Sequence, residues 1–127
     1  MLLSICEQNF AKEVLGASVP VLVHFWAPWC GLCRLIVPQL HQFQANWQDQ
    51  VKVVGINADQ SLKLASTYRL QTLPTLILFD NGRELNRLEQ FHGRDDLRRT
   101  LDEFMQNYQN RCRSLSLSTP EYLTLEA

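Results

Sequence analysis

The order of hydrophobic positions along the chain predicts alternating buried strands and amphipathic helices. Residues 20–26 form a short apolar run rich in β-branched and aromatic side chains, which is typical of a strand covered on both faces. Beyond this run, apolar residues recur at helical spacing and define one stripe, at Leu32, Ile36, Leu40, Phe43 and Trp47. Pro38 lies inside this stripe and is expected to kink the helix.

The remaining pattern predicts a strand–helix–strand unit followed by a hairpin and a last helix. Residues 51–57 form a second apolar run, so the intervening helix should connect two parallel strands by a right-handed crossover. Residues 61–69 suit a short helix. The run 75–79 leads directly into Asn81-Gly82, a dipeptide typical of tight turns, and residues 83–91 should return antiparallel. The last helical stripe consists of Leu97, Leu101, Phe104, Met105 and Tyr108.

Length and composition limit the chain to a single folded unit. Its 127 residues, 46% hydrophobic and 20% charged, suit one α/β domain with a real core. We expect this domain to cover residues 1–110. Because the helical periodicity is lost from residue 114 onwards, residues 111–127 are predicted to be a C-terminal tail.

Charge and hydropathy exclude several classes of function. Twelve basic and thirteen acidic residues give a formal net charge of −1, so no broad positive field attracts nucleic acid or anionic lipid. No apolar run is long enough to span a bilayer, and residues 1–16 lack the features of a secretory signal. We therefore expect a cytoplasmic protein. In that reducing compartment, its cysteines should be catalytic or metal-binding rather than a structural disulfide framework.

Two cysteines stand where the first strand gives way to a helix. Cys30 at the helix start would meet unpaired backbone N–H groups and the positive end of the helix dipole, which favour thiolate over thiol. Cys33 lies one turn further on, on the same side, where it can attack a mixed disulfide formed at Cys30. Gly31 leaves little bulk beside the nucleophile, and Trp29 offers a flat apolar surface to a polypeptide substrate.

A metal site is the alternative use of this cysteine pair. A CxxC motif can supply half of a zinc or iron–sulfur site, but a second pair is missing, since Cys6 and Cys112 are isolated. We therefore expect neither a metal nor a cofactor. Cys6, placed in a first short strand, and Cys112, beyond the last helix, are predicted to be buried small hydrophobes or bystanders. A regulatory disulfide between the two is the other possibility.

Three segments in this order resemble the thioredoxin family over about residues 1–110: FWAPWCGLC at residues 25–33, Leu73-Pro74-Thr75, and FDNG at residues 79–82. The resemblance implies the thioredoxin fold, a central mixed five-stranded sheet flanked by about four helices. It also implies a cis peptide bond before Pro74, beside the thiols, and a Leu73 backbone that hydrogen-bonds a substrate segment as an added strand.

The function implied by this resemblance is protein disulfide reduction through the Cys30/Cys33 dithiol, in the service of cell redox homeostasis. The implied partners are disulfide-containing client proteins and a thioredoxin reductase, flavin-dependent or ferredoxin-linked, as electron donor. We expect the protein to be a monomer. Two alternatives stay open. One is a thioredoxin-fold binding module or chaperone with little redox turnover, and the other is a more oxidising disulfide oxidase or isomerase.

The chain departs from the family pattern at three positions. Leu32 replaces the usual proline between the cysteines, so the redox potential should differ from that of ordinary thioredoxins. His24 replaces a buried aspartate behind Cys33, and Gly55 replaces its lysine partner. A buried, neutral His24 could relay the proton that Cys33 loses, or it could merely fill the core with one hydrogen bond.

Overall fold

The apolar runs predicted as strands pair in one five-stranded mixed sheet. The computed structural model describes residues 2–126, with side chains as far as Arg111. The strand order is β1-β3-β2-β4-β5, in which β1, β3 and β2 are parallel, β4 is antiparallel to β2, and β5 is antiparallel to β4. The predicted α/β class and mixed sheet are thereby confirmed. The strands are β1 (Leu3–Ile5), β2 (Val21–Trp26), β3 (Lys52–Asn57), β4 (Thr75–Asp80) and β5 (Arg83–Leu88).

Helices cover both faces of this sheet. The first helix, Glu7–Phe10, continues into a π-helical turn at Ala11–Leu15. Short 3-10 turns occupy Gln48–Gln50 and Ala58–Gln60. The α-helices are α1 (Glu7–Phe10), α2 (Gly31–Leu35), α3 (Val37–Trp47), α4 (Leu62–Thr67) and α5 (Gly93–Glu126). Within the described residues, no helix is both long enough and apolar enough to cross a membrane.

The predicted kink is a break between two helices. Helix α2 ends before Ile36 and α3 begins after it, with Pro38 in the first turn of α3, where a missing N–H leaves no hydrogen bond unmade. Leu32 lies in α2, before this break, and the rest of the predicted stripe follows it. Leu32 is 47% exposed, so its assignment to the buried stripe is wrong, whereas Ile36 is buried as predicted.

Alternate residues of the central strands form two hydrophobic layers. On one face, Leu22 and Leu76 pack with side chains of α3 and α5, including the predicted residues of the last stripe. On the other face, Val23 and Phe25 pack with residues of α1 and α4. Because β2 and β3 are parallel, their carboxyl ends lie at the same edge of the sheet.

The turn after β4 and the last helix are the remaining parts of the fold. Asn81 and Gly82 have φ angles of 51° and 80°, which joins β4 to β5 through the expected tight turn. Helix α5 spans Gly93–Glu126 and so includes most of the predicted tail. Side chains beyond Arg111, including Cys112, lie outside the described residues, and the division at residues 110 and 111 stays a prediction.

Candidate active site

A tight turn after β2 places Cys30 at the start of α2. Strand β2 ends at Trp26, and the Cys30 N–H then donates to the Ala27 carbonyl at 3.0 Å. From the first helical turn, Arg34 Nη1 donates to the Pro28 carbonyl at 2.7 Å and ties the turn to the helix. Cys30 is therefore the N-cap residue of α2, as its position after the strand predicted.

The two cysteines of the motif are joined by a disulfide. Their Cα atoms are 5.3 Å apart, and the Cys33 N–H donates to Cys30 Sγ at 3.1 Å. Cys30 is 6% exposed and Cys33 only 1%, so Cys30 is the more exposed of the two. The Cys33 N–H already donates to Cys30 Sγ. A thiolate accepts such a hydrogen bond more strongly than a thiol does, so this contact favours the ionised form of Cys30.

A carboxylate from the 3-10 turn that follows β3 fixes the indole of Trp29. This side chain is 68% exposed, and its Nε1 donates to Asp59 Oδ2 at 2.8 Å. Asp59 is held in turn, because its N–H donates to Asn57 Oδ1 at 2.9 Å. Neither Asp59 nor Asn57 was predicted from the sequence as a site residue. The available signal was their place directly at and after the end of β3, since carboxyl ends of neighbouring parallel strands share one edge.

The Leu73-Pro74 segment lies against the disulfide although it is about forty residues away in sequence. The peptide bond between the two residues is cis, and Leu73 packs on the cluster formed by Ala27, Cys30 and Cys33. Beside the same cysteines, a Cβ built on Gly31 would meet no atom within 4 Å. The fold therefore leaves open space at Gly31, next to Cys30, and packs Leu73 against the two cysteines.

His24 is buried behind the dithiol. It is 2% exposed, and its Nε2 has no hydrogen-bond partner among the residues whose side chains are described. Burial disfavours the charged imidazolium and lowers the pKa of His24 to about 4, so the ring is neutral at pH 7. His24 and Cys33 both border a cavity of about 270 Å³, together with Gly55.

Cys6 takes no part in this arrangement. Cys6 follows β1 at the start of α1 and is exposed, so its prediction as a buried hydrophobe within the first strand is wrong, whereas a free, exposed cysteine fits the other prediction, that of a bystander. Its backbone N–H donates to Asn9 Oδ1 at 2.8 Å and helps to begin α1. The part of the chain described here contains no group of three or more His, Cys, Asp or Glu residues that could hold a metal ion.

Comparison with known proteins agrees with this geometry. The family model described as Thioredoxin matches residues 1–103. Thioredoxin 1 of Synechococcus elongatus is 38% identical over 102 residues, which cover 80% of this chain and 95% of that protein. Thioredoxin 1 of a Nostoc species is 35% identical over 101 residues, covering 80% and 94%. The chloroplastic M-type thioredoxin of Chlamydomonas reinhardtii is 42% identical over 78 residues, covering 61% and 56%. The chain therefore belongs to the thioredoxin family and is a thiol–disulfide oxidoreductase with the dithiol at the start of α2.

Proposed function

We propose that Cys30 is the nucleophile and Cys33 the resolving thiol in the reduction of client protein disulfides. The observation that supports this assignment best is the hydrogen bond from the Cys33 N–H to Cys30 Sγ, 3.1 Å long at a helix start. The greater exposure of Cys30 supports the same order of attack.

The reaction proceeds in two exchanges. The Cys30 thiolate attacks one sulfur of a client disulfide, which forms a Cys30–client disulfide and releases the other client sulfur as a thiolate. Cys33 then loses its proton and attacks Cys30 Sγ, so the second client thiolate leaves and the Cys30–Cys33 disulfide forms. Two electrons pass from the dithiol to the client.

Four residues around Cys30 form the client-binding surface in this proposal. The exposed indole of Trp29 gives a flat surface that Asp59 holds in place, and Gly31 leaves room for the client chain. The Leu73 backbone, next to the cis bond to Pro74, pairs with an extended client segment. The packing of Leu73 on the cysteine cluster supports this role.

His24 acts as the transient proton acceptor for Cys33. Transfer from a thiol of ordinary pKa, about 8.5, to a ring of pKa about 4 is uphill by about 6 kcal/mol. A turnover on the order of 10 per second corresponds to a barrier of about 16 kcal/mol, so this step fits within it. His24 would therefore carry the proton only during the second exchange and then release it to solvent, to which the cavity shared with Cys33 is partly open.

Electrons reach the oxidised protein from a thioredoxin reductase, and the protein takes part in cytoplasmic electron transport and redox homeostasis. In this proposal it acts as a monomer and binds neither nucleic acid nor membranes. The formal net charge of −1 supports the proposal that the protein does not bind nucleic acid.

Trapping of clients tests the assignment of the two thiols. A Cys33→Ser variant should accumulate Cys30–client disulfides that dithiothreitol releases, because the resolving step is lost. Cys6→Ser, which removes an exposed cysteine outside the site, serves as the control and should turn over normally. Client retention that survives reduction, with no mixed disulfide, would instead indicate a binding module with little redox turnover.

The role of His24 is tested separately by the pH dependence of single-turnover disulfide reduction. A His24→Asn variant should slow the second exchange and change its pH profile, while the alkylation rate of Cys30 stays the same. An unchanged profile would leave His24 a core residue only.

A further inference from the structure

The structure assigns a small-molecule site to the cavity behind the disulfide, and we infer that it takes a hydroxylated aromatic ring, that is, a ligand of the phenol class. The cavity lies between the amino-terminal segment, strands β2 and β3, and the α2–α3 junction. Its wall includes Leu2, His24, Trp26, Cys33, Val37 and Gly55.

The size and chemistry of this cavity suit an aromatic ring better than water. Its volume of about 270 Å³ exceeds the roughly 150 Å³ at which an engineered apolar cavity already binds benzene. Nearly all of the wall is apolar, although the exposed residues Ser4 and Arg34 also border it, and the cavity is partly open to solvent. Arg34 is engaged with the Pro28 carbonyl. Water in such a space would find too few partners to be held firmly.

The absence of a side chain at Gly55 keeps this space open. A Cβ built there would come within 3.3 Å of Trp26 Nε1, which belongs to the same wall. Any larger residue at position 55 would therefore project along the wall and occupy the cavity. Gly55 lies next to His24 on the neighbouring parallel strand, so the space opens directly beside the imidazole.

His24 supplies the polar group that selects a hydroxyl. Its side chain is buried, borders the cavity and leaves Nε2 without a hydrogen-bond partner among the described side chains. A buried nitrogen without a partner is costly, and a ligand that bonds to it removes that cost. A phenolic hydroxyl both donates and accepts, so it suits a neutral imidazole in either tautomer.

Binding can be measured on the oxidised protein, where no disulfide exchange takes place, so the result is independent of the proposed function. Titration with p-cresol, followed by NMR of the His24 ring and the Gly55 amide, should show one saturable site with a Kd below about 1 mM. The isosteric hydrocarbon p-xylene should bind about fivefold more weakly, because it cannot bond to the imidazole.

Three variants connect binding to this cavity. Gly55→Leu and Val37→Phe fill it from different walls and should each weaken p-cresol binding at least tenfold, so the test survives if one of them fails to fold. His24→Leu should bring the affinities of p-cresol and p-xylene to equality. Leu35→Ala, a change at a residue that is 73% exposed, is the control and should leave both affinities unchanged. The inference is overturned if p-cresol does not saturate, or if the filling variants bind it as well as the original protein does.

Discussion

The indole nitrogen of Trp29 donates a hydrogen bond to Asp59 Oδ2 at 2.8 Å, across 30 positions of sequence. This contact holds an exposed aromatic ring, just before Cys30, in one orientation. Under the proposed function, a client that rests on the ring meets a surface already ordered, so less conformational entropy is lost when it binds.

Removal of this carboxylate should weaken client reduction without unfolding the protein. For Asp59→Ala we expect kcat/KM for a protein disulfide to fall about three- to tenfold, mainly through KM, since one hydrogen bond contributes about 0.5–1.5 kcal/mol. Asp49→Ala, at an exposed aspartate after α3, is the matched control. Equal kinetics for the two variants would show that the orientation of Trp29 does not matter for client binding.

Burial of His24 should make stability depend on pH. Its pKa is about 4 in the folded protein, against an ordinary value of 6.5, so the unfolded chain binds the proton more readily. The stabilisation is complete above pH 6.5 and is lost as the pH falls towards 4. We expect the free energy of unfolding to drop by about 3 kcal/mol between pH 7 and pH 4 from this residue.

Urea denaturation at several pH values measures this loss. The effect should disappear in His24→Leu and persist in His92→Asn, whose histidine is exposed. Two carboxyl groups also have lowered pKa values: Glu13, which lies beside Lys52, and Asp96, which lies beside the His92 N–H and Arg99. Their ordinary pKa values are 4.5 and 3.8, so the stability they contribute is lost below the pH range in which His24 acts. An identical slope between pH 6.5 and 4.5 in the original protein and in His24→Leu would contradict the assignment.

Glu7 caps a helix to which it does not belong. Its Oε1 accepts hydrogen bonds from the N–H groups of Lys63 at 2.8 Å and Leu64 at 3.2 Å, in the first turn of α4. Ser61, the N-cap residue of α4, makes no side-chain capping bond. Glu7→Ala should therefore lower the free energy of unfolding by about 1–2 kcal/mol.

Chemical denaturation checks this value, with two comparisons. Glu7→Gln keeps an acceptor oxygen and should lose less than Glu7→Ala does. Gln8→Ala, at the exposed neighbour, should have little effect. A loss as large for Gln8→Ala as for Glu7→Ala would mean that the cap contributes nothing specific.

The last helix is held to the sheet by a few fully buried side chains. Leu101, which is 1% exposed, packs in the layer between α3, α5 and the sheet, and Leu101→Ala should cost about 2–5 kcal/mol. Arg98→Ala, on the exposed side of α5, should change stability by less than about 0.5 kcal/mol. Thermal unfolding of both variants tests whether α5 is packed as described.

Local pattern was enough to predict most of the architecture. The separate strands, the helix between β2 and β3 and the turn at Asn81-Gly82 depend on residues close together in sequence, and so does the position of Cys30 at a helix start. The prediction that Leu32 belongs to the buried stripe was wrong. A helical repeat cannot show that α2 ends at Leu35 or that Leu32 is exposed to solvent. The prediction that Cys6 is buried was wrong for a similar reason, because the exposure of a residue depends on what the rest of the chain covers.

By itself, the sequence determined a mixed α/β sheet and a dithiol at the start of a helix, because hydrophobic period and residue type act over a few positions. Only the tertiary structure shows that Leu73 packs on the cysteines and that Trp29 donates a hydrogen bond to Asp59. It also shows that Glu7 accepts hydrogen bonds from the first turn of α4, and that His24 and Gly55 border one cavity. Each of these relationships joins residues far apart in the chain or depends on space left unfilled. Such contacts are decided by how the elements pack, which no local pattern records.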